Sequence, residues 1–195
     1  HETRGSESDM EKAVKSPSET KNGDPEDTDI KPASLLKELP FDSASAIRKP
    51  LNQDAPILGQ IGSLEVRLAR SRAEVRAAQE LRYQVFYEEM DAIADAETLM
   101  LRRDKDAFDE ICDHLLVVDR DLGKRGQVVA TYRLLPQEQA VRADGFYSRS
   151  EFELNDLLAR FPELNFLELG RSCVVGSHRD KRTMELLWHG TWAYV

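Results

Sequence analysis

Cysteine and long apolar runs are both scarce in this 195-residue sequence. The two cysteines, Cys112 and Cys173, lack metal-ligand spacing and lie in apolar segments. This pattern predicts reduced core thiols, as in a cytoplasmic protein, and argues against a disulfide framework or a cysteine-bound metal. No apolar run is long enough to cross a bilayer, and no signal peptide is recognisable. We therefore expect a cytoplasmic protein without a metal site.

Basic residues are also fewer than acidic residues. Lys and Arg number 27 against 36 Asp and Glu, which gives a formal net charge of −9. Nucleic-acid-binding domains need a basic face, so this balance argues against general nucleic-acid binding. An acidic protein that docks an acidic partner needs a local basic patch, which makes any cluster of Arg and Lys informative.

Apolar residues are sparse in the first part of the chain, where Pro, Ser, Gly and charged residues dominate. Such a composition cannot bury enough apolar surface to offset the entropy of ordering. We therefore predict a disordered arm over residues 1–58, with a docking tail as the functional alternative, and a folded domain over 59–195. Because the sequence stops at Val195 inside a helical pattern, we expect the domain to be truncated at its C-terminus.

Hydrophobic periodicity predicts strand, helix, strand, hairpin, strand, helix, strand and helix within the folded domain. The predicted strands are 62–69, 113–118, 127–135 and 165–175, and the predicted helices are 71–90, 152–161 and one that begins near 181. Ser71 and Glu74 predict a capping box at the start of the first helix. Residues 91–112 are predicted as loop with a helical turn, and residues 137–150 as loop. The hairpin between the two middle strands favours an α/β (α+β) domain with a mainly antiparallel sheet.

The stretch from Leu164 to Thr183 is the most informative part of the sequence. Glu168 and Arg171 lie within an apolar strand, where opposite charges are costly to bury unless they are paired or functional. The strand leads through Gly176–His178 into a helix whose first residues are basic: Arg179, Lys181 and Arg182. Free amides and basic side chains at a helix N-terminus bind phosphate. The pattern therefore predicts a donor with a phosphate tail, its reactive end lying along the strand.

These elements, in this order, resemble the GNAT acyltransferase superfamily. Within it, four segments resemble the ornithine-acyl-carrier-protein N-acyltransferases, also labelled hemolysin-like: Leu81–Phe86, Asp113–Val118, Ala130–Leu135 and Glu168–Val174. The resemblance covers roughly residues 62–195. It implies a GNAT fold with a central sheet flanked by helices. It also implies an enzyme that moves a 3-hydroxy fatty acyl chain from acyl carrier protein to the α-amine of L-ornithine. The phosphopantetheine thioester is then the donor substrate, no cofactor is needed, and the lipid product implies peripheral association with the inner membrane.

The same segments are similar to the acyl-homoserine lactone synthases, which use S-adenosylmethionine. The motif residues of that family are met by Arg82 and Phe86, by the acidic triplet Asp104, Asp106 and Asp109, by Arg133–Pro136, and by Glu168 with Arg171. The tryptophan that follows the first helix in that family is absent, since Ala92–Ala94 occupies the region. Lactone synthesis therefore stays an alternative, as does a non-catalytic GNAT-like domain that binds acyl carrier protein or lipid.

The resemblance and the residue chemistry together give a set of candidate roles. Glu168 is the candidate base, acting directly or through a water, with Arg171 beside it as a catalytic residue. The alternative is an ion pair between the two, which requires a bulge because strand residues three apart face opposite sides. Cys173 as a nucleophile lacks an evident base. The resemblance implies that backbone amides near Cys173, Val174 and Val175 polarise the thioester carbonyl.

The remaining candidates belong to the acceptor and donor sites. Asp104, Asp106 and Asp109 are expected to receive the ammonium group of the amino acid, or else to form a solvated loop. Arg82 and Arg133, with Phe86, are expected to bind the substrate or to order these aspartates. The expected donor-binding residues are His178, Arg179, Lys181, Arg182 and Thr183. This loop has no glycine, unlike the usual GNAT pyrophosphate loop, which weakens acetyl-CoA as the donor.

Overall fold

Five strands form one antiparallel sheet in which spatial order follows chain order. A computed structural model describes residues 49–143 and 145–195 of the chain. The strands are β1 (Ile57–Ile61), β2 (Leu64–Leu68), β3 (Asp113–Asp119), β4 (Gln127–Pro136) and β5 (Leu167–Val174). Each pairs with its neighbours in an antiparallel register. The predicted antiparallel arrangement is therefore confirmed.

Helices and single turns fill the connections between the strands. The helices are α1 (Arg72–Tyr83), α2 (Ala96–Leu101), α3 (Gln137–Arg142), α4 (Leu154–Arg160) and α5 (Lys181–Tyr194). A π-helical turn, Gln84–Glu89, continues α1. Short 3₁₀ turns occupy Ala107–Glu110, Tyr147–Ser150 and Gly176–His178. In the described part of the chain, none of these helices combines the length and apolar character needed to cross a bilayer.

The core lies on both faces of the sheet because neighbouring residues of β3 point to opposite sides. Leu115 and Val117 pack under α5 together with Leu186 and Leu187. Leu116 and Val118 pack under α1. A Cβ atom at Gly190 of α5 would lie 2.5 Å from a methyl carbon of Val66, so the close approach of α5 to the sheet requires glycine there.

The start of the folded region differs from the prediction. Strand β1, which the sequence analysis missed, begins at Ile57, before the predicted domain start at residue 59. The preceding residues also contact the fold: Lys49 forms an ion pair with Asp113, and Ala55 is buried. β1 is a short edge strand with an exposed Ile57, so its apolar pattern is weak. The rest of the predicted arm, residues 1–48, lies outside the described residues.

Helix boundaries show a mixture of confirmed and wrong predictions. Ser71 is the N-cap of α1, as predicted, and accepts a hydrogen bond from the Glu74 amide at 3.3 Å. The Glu74 carboxylate, however, accepts from the Arg70 amide, so the capping box is only half formed. The prediction of loop over 137–150 was wrong, because α3 begins directly after Pro136 and a 3₁₀ turn begins at Tyr147. That second turn supplies part of the candidate site.

Candidate active site

A β-bulge in β5 gives the candidate site its shape. Thr131 pairs with Cys173 and Arg133 pairs with Gly170, so Arg171 and Ser172 together face the single residue Tyr132. Arg171 has a φ of 51°, in the left-handed region that non-glycine residues rarely adopt. A bulge breaks the alternation of side chains along a strand and redirects the residue it contains. Arg171 is therefore aimed at the acidic residues that precede β3.

Three aspartates and three arginines meet at this bulge. Arg82 Nε lies 2.8 Å from Asp104 Oδ2, and its Nη2 lies 2.8 Å from Asp109 Oδ1. Arg133 Nη1 lies 2.6 Å from Asp106 Oδ1 and 3.3 Å from Asp109 Oδ1. Arg171 completes the cluster, with Nε 3.2 Å from Asp104 Oδ2 and Nη2 3.7 Å from Asp106 Oδ2. The formal charges of the six side chains cancel.

Neutral side chains fix the orientation of these carboxylates. Gln79 Nε2 donates to Asp109 Oδ2 at 3.0 Å, and Tyr87 donates to Asp104 Oδ1 at 3.3 Å. His114 Nε2 lies 3.0 Å from the backbone oxygen of Asp109. Burial lowers the pKa of His114 despite the attraction of Asp109, so the ring is neutral at physiological pH. The bonds from Gln79 and Tyr87 therefore restrict the orientation of the Asp109 and Asp104 carboxylates.

Three members of the cluster, Asp109, Arg133 and Arg171, are held in their charged forms. Burial alone would raise the pKa of Asp109, but the Arg82 and Arg133 guanidiniums outweigh it and hold the pKa at about 2. Burial alone would lower the pKa of Arg133, but Asp106 and Asp109 raise it. The pKa of Arg171 is raised in the same way by Asp104 and Asp106 against the effect of burial. Each charge is therefore stabilised by its partners.

The acidic triplet is less accessible than the sequence analysis expected. The side chains of Arg82 and Asp109 are 0% and 1% exposed, whereas Asp106 and Arg171 are 18% and 28% exposed. Asp104 is also buried. Geometry therefore places Arg82, Asp104 and Asp109 where they order the site. Asp106 and Arg171 remain within reach of a ligand.

A pocket of about 170 Å³ opens beside the cluster. Arg133, Glu168 and Arg171 line it, as do Phe108, Tyr147 and Ser148. Tyr147 forms an aromatic wall: the Arg171 guanidinium lies 5.4 Å from its ring centroid, and the Arg133 guanidinium lies 5.9 Å away. Phe108 and the same ring form a T-shaped contact, with 5.5 Å between centroids. The pocket thus contains two cations, one carboxylate and two aromatic rings.

Glu168 has different partners from those considered in the sequence analysis. Its Oε2 accepts a hydrogen bond from the Tyr147 amide at 2.7 Å, and its Oε1 accepts one from the Ser148 amide at 2.9 Å. The Ser148 hydroxyl also donates to Oε1. Among the described residues, no ion pair joins Glu168 to Arg171, although the bulge that such a pair requires is present. The structural ion-pair reading of these two residues is therefore wrong.

Phe108, Tyr147 and Ser148 are three of the lining residues that the sequence analysis missed. All come from segments that were predicted as loop, and each reaches the pocket through a short 3₁₀ turn. Their partners lie 20 or more residues away in the chain, as in the bonds from Tyr147 and Ser148 to Glu168. One local signal was available, since Asp106 and Asp109 form a capping box around the turn that carries Phe108.

The predicted phosphate loop is already engaged in contacts within the protein. His178 Nε2 lies 3.0 Å from Asp119 Oδ2, and Arg179 Nε donates to the Val174 oxygen at 2.9 Å. Asp180, which the sequence analysis did not single out, is the N-cap of α5 and accepts from the Thr183 amide at 2.9 Å. That amide hydrogen bond lowers the pKa of Asp180. The helix start therefore carries a negative charge that opposes anion binding.

The other donor-site candidates divide between the core and the surface. Lys181 and Arg182 are exposed, and Lys181 lies 3.4 Å from Glu185. Thr183 is fully buried. The Val175 amide donates to the Val129 oxygen at 2.9 Å, so it is not free to polarise a thioester carbonyl in this arrangement.

Cys173 and Phe86 lie on the side of β5 that faces α1. Cys173 is buried with Leu81 and Val85, and Phe86 packs against this cluster. Burial raises the pKa of the Cys173 thiol to about 12, which removes the thiolate that a nucleophile requires. The structure places Phe86 in this apolar cluster, and it does not line the pocket.

Comparison with known proteins defines the class. The sequence profile of the acetyltransferase (GNAT) domain matches residues 81–189, which is more than half of the chain. The chain therefore belongs to the GNAT acetyltransferase family, and the predicted GNAT fold is confirmed. No solved structure matches the chain significantly.

Individual relatives carry a more specific name. The chain is 57% identical over 145 residues to the L-ornithine N(alpha)-acyltransferase of Brucella abortus, covering 73% of this chain and 52% of the relative. It is 54% identical over 141 residues to the protein of the same name from Agrobacterium fabrum, covering 71% and 48%. For the Rhizobium meliloti protein of that name the identity is 53% over 156 residues, covering 78% and 53%. The chain spans about half the length of the curated relatives it matches.

Proposed function

We propose that this protein is an amino-acid N-acyltransferase that acylates the α-amine of L-ornithine. The donor in this proposal is a 3-hydroxy fatty acyl chain on the phosphopantetheine thioester of acyl carrier protein, with no further cofactor. The observation that carries the proposal is the pocket lined by Arg133, Glu168 and Arg171. It lies in a GNAT domain whose relatives, at 53–57% identity, are named for this acceptor.

The chemistry of the pocket suits an amino acid. Arg171 is partly exposed, and its guanidinium is held by Asp104 and Asp106, which leaves it oriented to bind a carboxylate. Glu168 supplies a carboxylate to receive the amine. A volume of about 170 Å³ is small compared with the roughly 300–1,000 Å³ of pockets for larger ligands. The pocket therefore suits the acceptor, and a long acyl chain must lie outside it.

The reaction requires one proton acceptor on the protein. The neutral amine nitrogen attacks the thioester carbonyl carbon, the C–N bond forms and the C–S bond breaks. The Glu168 carboxylate takes the proton that the ammonium form of the amine must lose before attack, directly or through a water, and later releases it to solvent. The proton that the nitrogen loses as the amide forms passes to the departing thiolate, which becomes the free thiol of the carrier. General base catalysis of this kind contributes about 10²–10⁴-fold to rate.

In this proposal the acyl carrier protein binds at the exposed start of α5. Acyl carrier proteins are acidic, and Lys181 and Arg182 are the exposed basic residues at this position. Arg179 is part of the same surface but is paired with Glu89. The lipid nature of the product supports a peripheral and reversible association with the cytoplasmic face of the inner membrane.

The identity of the product tests this proposal against its two alternatives. The full-length protein is incubated with 3-hydroxyacyl carrier protein and ornithine, and separately with S-adenosylmethionine in place of ornithine. We expect mass spectrometry to detect N-acylornithine in the first reaction only. An acyl-homoserine lactone in the second reaction would support lactone synthesis, and no product in either would support a non-catalytic domain.

A further inference from the structure

The hydrogen bonds to Glu168 are not distributed evenly over its two oxygens. An ionised carboxylate offers about four lone-pair positions. Both positions on Oε1 are occupied, one by the Ser148 amide and one by the Ser148 hydroxyl. Oε2 accepts a single bond, from the Tyr147 amide at 2.7 Å. One lone pair of Oε2 is therefore left for a ligand in the pocket.

The segment that makes these bonds is itself held in place. The Tyr147 ring packs against the guanidiniums of Arg133 and Arg171 and against the Phe108 ring. Ser148 is the next residue in the chain, so the position of its amide and hydroxyl is fixed by the anchored Tyr147. The Glu168 carboxylate cannot rotate about its terminal bond without breaking contacts to both residues. Its orientation is therefore set by the turn that begins at Tyr147.

We propose that Ser148 is a positioning residue for the acyl transfer. Its hydroxyl saturates Oε1 of Glu168, so that Oε2 alone accepts the proton of the incoming amine. This inference rests on the proposed function, in which Glu168 is the base. It adds a residue that lies outside the candidate set derived from the sequence, and it names the oxygen that reacts.

The other charged and titratable groups around Glu168 already have their own constraints. Arg133 is engaged by Asp106 and Asp109, and Arg171 by Asp104 and Asp106. The Cys112 thiol lines the same pocket, and burial raises its pKa to about 12, so it stays neutral. Tyr147 also lines the pocket. Substitution of Ser148 therefore removes a contact to Glu168 without changing any formal charge.

Loss of the hydroxyl should loosen the orientation of the Glu168 carboxylate. Oε2 then faces the amine in a smaller fraction of the bound complexes, while binding of the amine itself changes little. We expect kcat to fall about 10- to 100-fold, the range for one hydrogen bond to a charged group.

The test compares variants of two serines in the same turn. Ser148→Ala removes the donor, and Ser148→Thr retains it. Ser150→Ala is the matched control, because the Ser150 hydroxyl is exposed and donates to the Tyr147 backbone oxygen at 3.1 Å.

Steady-state kinetics of the full-length protein should show a fall in kcat for Ser148→Ala with less than about a threefold change in the ornithine KM. Ser148→Thr and Ser150→Ala should retain normal kcat. Should Ser148→Ala not fold, Ser148→Cys, with a weaker donor, should give an intermediate kcat.

A double substitution separates this inference from the function on which it depends. If Ser148 acts through Glu168, Ser148→Ala should cause no further loss in the Glu168→Gln protein. Equal losses in both backgrounds, or a normal kcat for folded Ser148→Ala in the presence of an active Glu168, would overturn the positioning role. Normal kcat for Glu168→Gln would instead remove Glu168 from the proposed reaction.

Discussion

Arg171 and Asp104 are joined across the bulge in β5, with the Arg171 Nε atom 3.2 Å from Asp104 Oδ2. The contact depends on an unfavourable backbone conformation, since Arg171 has a φ of 51°. Left-handed backbone costs a non-glycine residue roughly 1–2 kcal/mol. Strain of this kind persists where surrounding structure enforces it and often marks a functional site. In this protein it brings a cation into the lining of the pocket that also contains Glu168.

Substitution of Arg171 should separate activity from stability. Arg171→Gly relieves the strained φ but removes the guanidinium, so we expect a melting temperature within a few degrees of the original and a much higher KM for ornithine. Arg171→Ala removes the guanidinium and keeps the strain, so its melting temperature should be lower than that of Arg171→Gly. Thermal unfolding and steady-state kinetics measure both effects. An unchanged ornithine KM in both variants would exclude a role in acceptor binding.

The buried end of the cluster should matter for folding. Arg82 is 0% exposed and pairs with Asp104 and Asp109, so Arg82→Met leaves two carboxylates with one partner fewer in a buried site. Breaking a buried pair on one side costs about 3–5 kcal/mol. Denaturant unfolding should show a loss of this size. Arg102→Met is the control, because Arg102 pairs with Glu88 at the surface, where an ion pair contributes less than about 1 kcal/mol.

The low pKa of Asp109 predicts how the stability of the folded protein depends on pH. The folded state holds this pKa at about 2, below the ordinary value of 3.8. As pH falls, the unfolded chain therefore binds a proton first. The stabilisation is fully present above pH 3.8, and it is lost as pH falls through about 2. Its size is about 2 kcal/mol.

Unfolding by urea between pH 5 and pH 2 measures this effect. Asp109→Asn destabilises the protein at every pH because Arg82 and Arg133 lose a charged partner, but it should also flatten the dependence of stability on pH. The slope, rather than the absolute stability, is therefore the informative quantity. The same slope in both proteins would show that Asp109 does not titrate in this range.

Local signals predicted much of the sheet but not the arrangement of the site. The β3–β4 hairpin and the Ser71 cap follow from alternation and from side chain to backbone bonds within a few residues. The bulge at Arg171 and the bonds from Ser148 to Glu168 depend on segments that meet only in the folded chain. Sequence analysis named Glu168 and Arg171 as candidate catalytic residues, with an ion pair between them as the alternative. Both line the pocket, but they are not paired with each other. The actual partners, Ser148 and Asp104, come from connections where periodicity carries no information.

If the carrier protein docks at the start of α5, the KM for its thioester should depend on the charge of Arg182. Arg182 is exposed at the start of α5, beside the Asp180 cap that opposes anions. Arg182→Glu should raise the KM for the acyl carrier protein thioester and weaken its salt dependence, whereas kcat should change less. Arg76→Glu is the control, since this exposed residue lies on α1, on the opposite face of the sheet from α5. An equal effect of both variants would indicate a net-charge effect rather than a docking site.

Glu168→Gln tests the base. Glutamine cannot take up the amine proton, so kcat should fall by about 10²–10⁴. The surroundings of Glu168 add a structural effect. The Tyr147 and Ser148 amides donate to different oxygens of Glu168, and the nitrogen that replaces one of these oxygens in glutamine cannot accept, so at least one hydrogen bond is lost. A lower melting temperature is therefore expected in addition to the kinetic loss, and it does not by itself argue against a catalytic role.

The pH dependence of the Glu168→Gln defect distinguishes the two effects. If Glu168 removes the proton, the defect should shrink as pH rises, because a larger fraction of the ornithine amine is then already neutral. A purely structural loss should give the same ratio of rates at every pH at which the variant is folded. Circular dichroism defines that range, and rates from pH 6.5 to pH 9.5 cover the change in the amine. Normal turnover at neutral pH would leave a water molecule or the substrate itself to accept the proton.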